Sequence, residues 1–335
     1  PTPIIIKTVN SINIILYFSF ILFTLRIVIM NGLEICKICN EPVLTLAHFW
    51  KKHKIKLESY ILQYFPKYDL FDRSALLFKT SKQYFGCDFN NKNNLKTYLK
   101  QVSKENAIDY CKTLLIRRKE YKQLVYTPCQ IELASLSCFP PVHYLLSLFD
   151  YYEFCNSIGL INKVSNINNF DLKLNDFGNN EIIIDSRENN PLKFDFSSRI
   201  SKLDFGDYFF TGNNLYFERK SLPDFIGTLT SGLERFTKEL ERANKAGAYL
   251  IMIVENKLSD CLSFNHLPWM KRIKTKATPE YIFHNLRGLI QRFPRFQPLF
   301  VDGRKLVVEY IMKGSLSGET FCEFDLQLLY QLNLI

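Results

Sequence analysis

The 335-residue chain lacks the features that mark several protein classes. No segment recurs at the periods expected of solenoids, which excludes a repeat architecture. Its nine cysteines are odd in number and scattered, unlike a small secreted disulfide framework, and point to a reducing, intracellular setting. Histidine is scarce, with five in the chain, so any cluster of them is informative. Neither a shortage of apolar residues nor an excess of charge is present: 47% apolar and 23% charged exclude wholesale disorder and a multi-span membrane protein. A single long apolar run, Ile14–Met30, is interrupted only by Arg26. Two readings stand, a short membrane anchor or an upstream translated extension, and the first methionine at Met30 favours an extension over residues 1–29. No firm membrane partner follows.

The length suits two domains. The net charge of +10 is unevenly spread. Residues 30–165 hold 19 Lys/Arg against 12 Asp/Glu, whereas residues 171–335 hold 22 against 21. The N-terminal half is therefore the better candidate for polyanion affinity, although a basic soluble surface explains the charge equally well.

Cys36-x-x-Cys39, followed by His48 and His53, sets two thiolates and two imidazoles within eighteen residues. That is the ligand set of a tetrahedral structural Zn²⁺ site, and it predicts a small zinc finger over 30–58. Lys51, Lys52, Lys54 and Lys56 crowd the second pair, with Phe49 and Trp50 alongside. The finger is suited to DNA phosphates or to stabilising the region that follows it. Residues 59–161 read as mainly helical and basic, with apolar spacings of three and four in Tyr60–Phe65, Leu95–Leu99 and Ile108–Leu115. The run Lys112–Lys122, including Arg117 and Arg118, lies on one such helix, as a solvated face or a phosphate-contacting one. Residues 162–180 are rich in Asn and read as a linker.

Beyond residue 180 the pattern becomes α/β. Glu181–Ile184 is a short β-branched strand ending in Asp185, and Phe209–Phe210 and Leu215–Glu218 flank a Thr-Gly-Asn-Asn hairpin turn. Ser221-Leu-Pro-Asp224 opens a helix expected to reach about Ala246 before Gly247. Ala248–Val254 is a buried strand, Thr278-Pro-Glu280 opens a second helix, and Pro298–Val301 is a further strand. The domain is expected over 181–315, with 316–335 as a C-terminal segment.

Glu218 and Lys220, two apart on a strand, share one face while Arg219 points the other way. Asp207, carried across the hairpin, brings a second carboxylate, and Asp185 ends a neighbouring strand. Convergent carboxylates form an oxygen site for Mg²⁺ or Mn²⁺, and phosphodiester hydrolysis needs such an ion with an amine beside it. A simple Glu218–Lys220 salt bridge is the competing reading.

E-R-K-S-L-P-D at 218–224 resembles the E-R-K-x-x-x-D signature of the XPF nuclease family. I-D-S-R-E at 184–188 and G-D-Y at 206–208 are similar to its other motifs and follow its order, over about 181–311. The resemblance implies a restriction-endonuclease-like core, a mixed sheet flanked by helices, that cuts branched, flapped or junction DNA in repair, recombination or replication. It implies Asp207 and Glu218 as metal ligands aided by the Arg219 carbonyl, with Asp185 and Glu188 as supporting acids. Lys220 is then the catalytic lysine, Arg219 faces phosphate or an ion-pair partner, and Asp224 supports the motif, although helix capping explains Asp224 as well. Arg235 resembles a family arginine, or pairs with Glu239 one turn on. Many cellular members continue into a tandem helix-hairpin-helix domain for which this sequence has no room, as in viral and phage relatives, so branch preference and homo- or heterodimer formation follow less directly. A catalytically silent DNA-binding subunit and a sequence-specific mobile-element endonuclease are the other readings.

Overall fold

The structure, a computed structural model, describes residues 35–43, 47–56, 60, 99, 103–136, 139–171, 178–268, 270 and 277–335. The apolar run at 14–30 and the helical readings at Tyr60–Phe65 and Leu95–Leu99 lie largely outside these residues, as does the side chain of Arg117. The chain divides into two units, Pro1–Leu95 and Lys96–Ile335. Among the described residues no helix is long and apolar enough to cross a membrane.

In the first unit a short antiparallel bridge, Ile35 with Pro42, closes a knuckle around Cys36 and Cys39. The turn holds by Asn40 N–H donating to Cys36 O (2.8 Å), with Asn40 at φ 55°, a conformation asparagine tolerates. Helix α1 (Ala47–His53) follows, and its Phe49 is fully buried, with its ring 4.2 Å from that of Tyr60.

The second unit opens with α2 (Lys104–Lys122), α3 (Gln130–Ala134), α4 (Val142–Leu148) and α5 (Tyr151–Ser157). A six-stranded sheet follows: β1 (Ile182–Asp185), β2 (Ser198–Ser201), β3 (Tyr208–Phe210), β4 (Leu215–Lys220), β5 (Tyr249–Val254) and β6 (Phe296–Phe300). Their order is β2-β1-β3-β4-β5-β6, antiparallel at β1–β3 and β3–β4 and parallel elsewhere. Interleaved are α6 (Leu222–Thr228), α7 (Leu233–Lys245), α8 (Leu258–Cys261), α9 (Pro279–Arg292), α10 (Arg304–Ser317) and α11 (Leu326–Gln331).

Strand β5 shows why both faces are covered. Its residues alternate, Leu250, Met252 and Val254 packing with α6, α7 and α9, and Ile251 and Ile253 packing with α10 and α11. This mixed α/β sandwich is the fold class the sequence indicates.

Three differences from the sequence reading have physical causes. The single helix expected from Ser221 to Ala246 is two. After Thr228 the chain turns back, with Gly232 N–H donating to Gly227 O (2.9 Å) and Thr230 Oγ1 donating to Ile226 O (2.8 Å). A Cβ on Gly232 would lie 3.1 Å from Gly227 O and Thr228 Cα, so the backbone approaches closely at the break and a larger residue would have to push it apart by a few tenths of an ångström. Strand β2, on the sheet edge, has Ile200 69% exposed and carries no apolar run by which to recognise it.

The third difference is that residues 124–171 are packed into the second unit. Ile131 and Ala134 of α3 belong to the same apolar cluster as Phe225 and Ile290. Asp325 accepts the Gln130 N–H (2.6 Å) and caps α11 through Leu328 N–H (3.2 Å). Gln291 receives Tyr126 N–H and donates to both oxygens of buried Glu132 (3.0 and 3.2 Å). Lys163, in the expected linker, donates to the carbonyls of Ile290 and Phe293. The segment beyond residue 315 is likewise core, through Phe321, Cys322 and Leu326.

Replacing Asp325 with Ala orphans the buried Gln130 N–H and removes the α11 cap, a loss expected to cost about 2 to 4 kcal/mol. Urea unfolding of the full chain measures it, and a change below about 0.5 kcal/mol would show that α3 is not anchored there.

Candidate functional site

The site lies where β4 leaves the sheet. Tyr216, Glu218 and Lys220 face the α6–α7 side, and Leu215, Phe217 and Arg219 face the α10 side. Glu218 is 6% exposed and pairs through Oε1 with Lys220 Nζ. Burial, and then the charge of Asp207, push the Glu218 carboxyl up to about 8.

Asp207 precedes β3 and is fixed from both sides. Its N–H donates to Phe217 O (2.8 Å) on β4, and its carbonyl accepts Asp185 N–H (2.8 Å) from β1. Its Oδ2 accepts the Arg219 N–H (2.8 Å), so side chain and backbone are set by one ladder. Burial raises its carboxyl to about 6, against the pull of Lys220. Gly206 just before it has φ 70°, and a Cβ there would sit 3.1 Å from Phe217 O. Its N–H donates to Glu239 Oε1 (2.9 Å) from α7.

On the opposite face Arg219 bridges Glu188 (3.2 Å) and Glu255 (3.0 Å), joining the loops after β1 and β5. Of the two roles left open for Arg219, the ion-paired one is formed. Asp224 serves the helix start, where Ser221 is the N-cap: the Asp224 N–H donates to Ser221 Oγ (3.3 Å) and its Oδ2 accepts the Ser221 hydroxyl (2.5 Å). Arg235 is exposed on α7, and Glu239, its expected partner, instead holds Gly206.

Asp185 departs from the ligand role expected of it. Its carboxylate accepts Arg187 Nε (2.7 Å), Arg187 Nη2 (2.9 Å), and the N–H groups of Arg187 (2.8 Å) and Leu203 (2.7 Å). Four donors fill its acceptor sites, because the turn after β1 folds Arg187 back onto it. Its pKa stays below the ordinary carboxylate range although burial opposes this, because of these donors.

Sequence reasoning missed Glu239, Glu255 and Arg187 as parts of the site. For Glu239 a signal existed: α7 buries Phe236, Leu240 and Ala243, and residue 239 borders that apolar stripe. Glu255 directly follows β5 but belongs to no recognised motif.

With Asp207, Glu218 and Glu239 ionised, one lysine leaves this pocket of charge short by two positive units, which matches a divalent cation. Asp207 and Glu218 supply oxygen donors of the kind Mg²⁺ takes, since that ion is commonly held by one or two carboxylates with water completing its shell.

The second centre is in the finger. Cys36 Sγ lies 3.4 Å from His53 Nε2, Cys39 Sγ lies 3.5 Å from His48 Nε2, and the two Nε2 atoms are 3.2 Å apart. Bonds of about 2.0 Å to nitrogen and about 2.3 Å to sulfur at tetrahedral angles give edges of about 3.3 Å and about 3.5 Å. The four donors thus lie at the corners of a zinc-sized tetrahedron, within 4.8 Å of one another. Burial of Cys36 opposes the thiolate, but the Ile38 and Cys39 backbone donors and His48 bring its pKa down to about 6. Of the four expected basic contacts, Lys51, Lys54 and Lys56 are exposed, while Lys52 is paired with Glu41.

A mixed sheet flanked by helices thus carries buried Glu218, half-buried Asp207 and a lysine at one strand end. Residues 184–313 match the model of the ERCC4 domain. Seven chains of known structure match. Among them is XPF from Aeropyrum pernix, with a TM-score of 0.29 and 19% identity, over 40% of this chain and 64% of that one. The chain thus spans less than two thirds of that protein. No curated protein matches.

Two outcomes follow. Both carboxyls titrate higher in the folded chain than their ordinary values of 3.8 and 4.5, so folding takes up protons between about 4 and 8. Their contribution is present in acid and lost as pH rises through about 6 and then about 8. In chelator, wild type minus Glu218→Gln melting temperature should fall across that window, and Mg²⁺ should stabilise wild type more at pH 8 than at pH 6. A flat difference would contradict the buried setting of Glu218. The chain should also carry one zinc, released by His53→Ala, as read by metal analysis of the dialysed protein. Retention of stoichiometric zinc by that variant would remove His53 from the ligand set.

Proposed function

We propose that this chain is a divalent-metal-dependent DNA endonuclease that hydrolyses phosphodiester bonds at branched, flapped or junction DNA. The observation that supports this most is the placement of Asp207, Glu218 and Lys220 together at the β4 end of an ERCC4 domain. In this reading Asp207 and Glu218 hold Mg²⁺ or Mn²⁺, which when bound supplies Lewis-acid charge to the scissile phosphate.

The remaining steps belong to the protein's own residues. Lys220, paired with Glu218, would orient the attacking water through its Nζ donors and offset charge in the transition state. The Asp207 carboxylate stays aimed because Arg219 N–H holds one of its oxygens. Arg219, Glu188 and Glu255 set the two loops flanking the site, and Asp185 acts through Arg187 as a positioning residue. Burial of the pair excludes water that would otherwise weaken each interaction.

In the finger, Cys36, Cys39, His48 and His53 would hold a structural zinc. Lys51, Lys54 and Lys56, with exposed Trp50, provide a surface for DNA phosphates, and Arg235 offers a further cation on α7.

The test uses the full chain with labelled linear, flap, fork and four-way duplexes, in Mg²⁺ and in chelator. Cleavage should require the metal and favour the branched substrates. Glu218→Gln and Lys220→Met should each lower the single-turnover rate by about 10²- to 10³-fold while leaving the far-UV spectrum intact. Wild-type cleavage by Glu218→Gln would refute the ligand assignment.

A further inference from the structure

Helix α1 divides its surface by helical spacing. Phe49 is buried, and His48 and His53 lie to either side of it, where they meet the cysteines. Lys52 pairs with Glu41 beside them. Ala47, Trp50 and Lys51 occupy the remaining arc, Ala47 being three and four residues from the other two, and all three are exposed.

Lys54 extends that arc by one turn. Its N–H donates to Trp50 O (3.2 Å), and it ends the helix at φ 56°, a left-handed conformation in which glycine or asparagine is usual. A lysine is thereby set four residues after Trp50. Among the described residues neither Lys51 nor Lys54 has an ion-pair partner, and Lys37 on the knuckle and Lys56 are exposed as well. Glu41 is the one acid among the described residues of the finger, and Lys52 already holds it.

Trp50 is the feature that charge does not explain. It is 61% exposed, whereas Phe49 beside it fills the interior against Tyr60. An indole left in water forgoes one of the largest apolar burials a side chain can make. Ala47, one turn back, is too small to cover the ring. Lysines alone suit any phosphate backbone, but an uncovered indole calls for a flat apolar partner. The two together match a nucleotide whose base is unpaired, because within a duplex the base faces are already stacked on one another. Readout of duplex base edges is not what this helix offers, since its seven residues include none of the Arg, Asn or Gln forks that perform it.

We propose that the outer face of the finger binds single-stranded DNA, with Trp50 stacked on an unpaired base and Lys51 and Lys54 on the flanking phosphates. The choice of DNA rests on the nuclease reading of the chain. The match to an unpaired nucleotide rests on the finger itself.

The test uses the full chain, zinc-loaded and without Mg²⁺, so that binding is read and cleavage is not. Fluorescence anisotropy measures Kd for a short labelled oligothymidylate, for a strand of equal length built of abasic units, and for a blunt duplex. Trp50→Ala should weaken the oligothymidylate about tenfold and Trp50→Phe far less, with the abasic strand and the duplex bound equally by all three proteins. Lys51→Gln combined with Lys54→Gln should weaken both strands and make their salt dependence shallower by about one unit of slope. Zinc content and melting temperature, unchanged in each variant, exclude unfolding as the cause. Oligothymidylate bound by Trp50→Ala as tightly as by wild type overturns the proposal, as does an equal loss on the abasic strand. Vesicles rich in phosphatidylserine form the last arm: binding to them that depends on Trp50, with the oligothymidylate unaffected, assigns the face to a membrane surface instead. Failure here leaves the nuclease assignment standing, and a chain that binds the strand but never cuts fails only that assignment.

Discussion

The peptide of Asp207 is the constraint on which the site depends. It is hydrogen-bonded to β4 through its N–H and to β1 through its carbonyl, so two antiparallel pairings meet at one residue. The side chain then takes the Arg219 N–H, which fixes the carboxylate relative to Glu218 and Lys220 on the adjoining positions of β4. Precision of this kind comes from the ladder rather than from the loops, and strand-borne groups are held more closely than loop-borne ones. Gly206 makes it possible, since a side chain in that left-handed conformation would press on the Phe217 carbonyl.

Charge is the second organising element. On the α6–α7 side the carboxyls of Asp207, Glu218 and Glu239 all bear on one lysine, and burial with that crowding raises the Glu218 carboxyl. On the α10 side one arginine sits between two carboxylates, close to balance. The same strand therefore carries a crowded face and a settled one. The settled face keeps the loops in register, and on the crowded face burial raises the titration of both carboxyls.

What the sequence disclosed follows from period. Alternation in Glu218-Arg219-Lys220 is a property of any strand, so the opposite placement of Arg219 was legible without coordinates. Capping by Ser221 and Asp224 was legible for the same local reason. Contacts made across the fold were not. Glu239 reaches the site from α7, nineteen residues beyond the end of β4. Asp185 looked like a third ligand although the group that fills it is only two residues away, because no periodicity shows that the turn folds the Arg187 guanidinium back onto the carboxylate. Edge strand β2 carries no burial pattern, and the break before α7 depends on a close backbone approach at Gly232. The cysteine and histidine spacing of the finger was fully readable, since a tetrahedral donor set constrains sequence as tightly as geometry.

The docking of residues 124–163 bears on where this protein divides. The family match begins at residue 184, yet α3 contributes Ile131 and Ala134 to the cluster beneath the sheet, and Gln130 and Glu132 engage side chains from α9 and α11. A polypeptide cut at the start of that match would present a raw apolar scar and two stranded polar groups, Asp325 and Gln291, to water. The evolutionary module and the folding module are different lengths of chain, and it is the longer one that a stable fragment must contain.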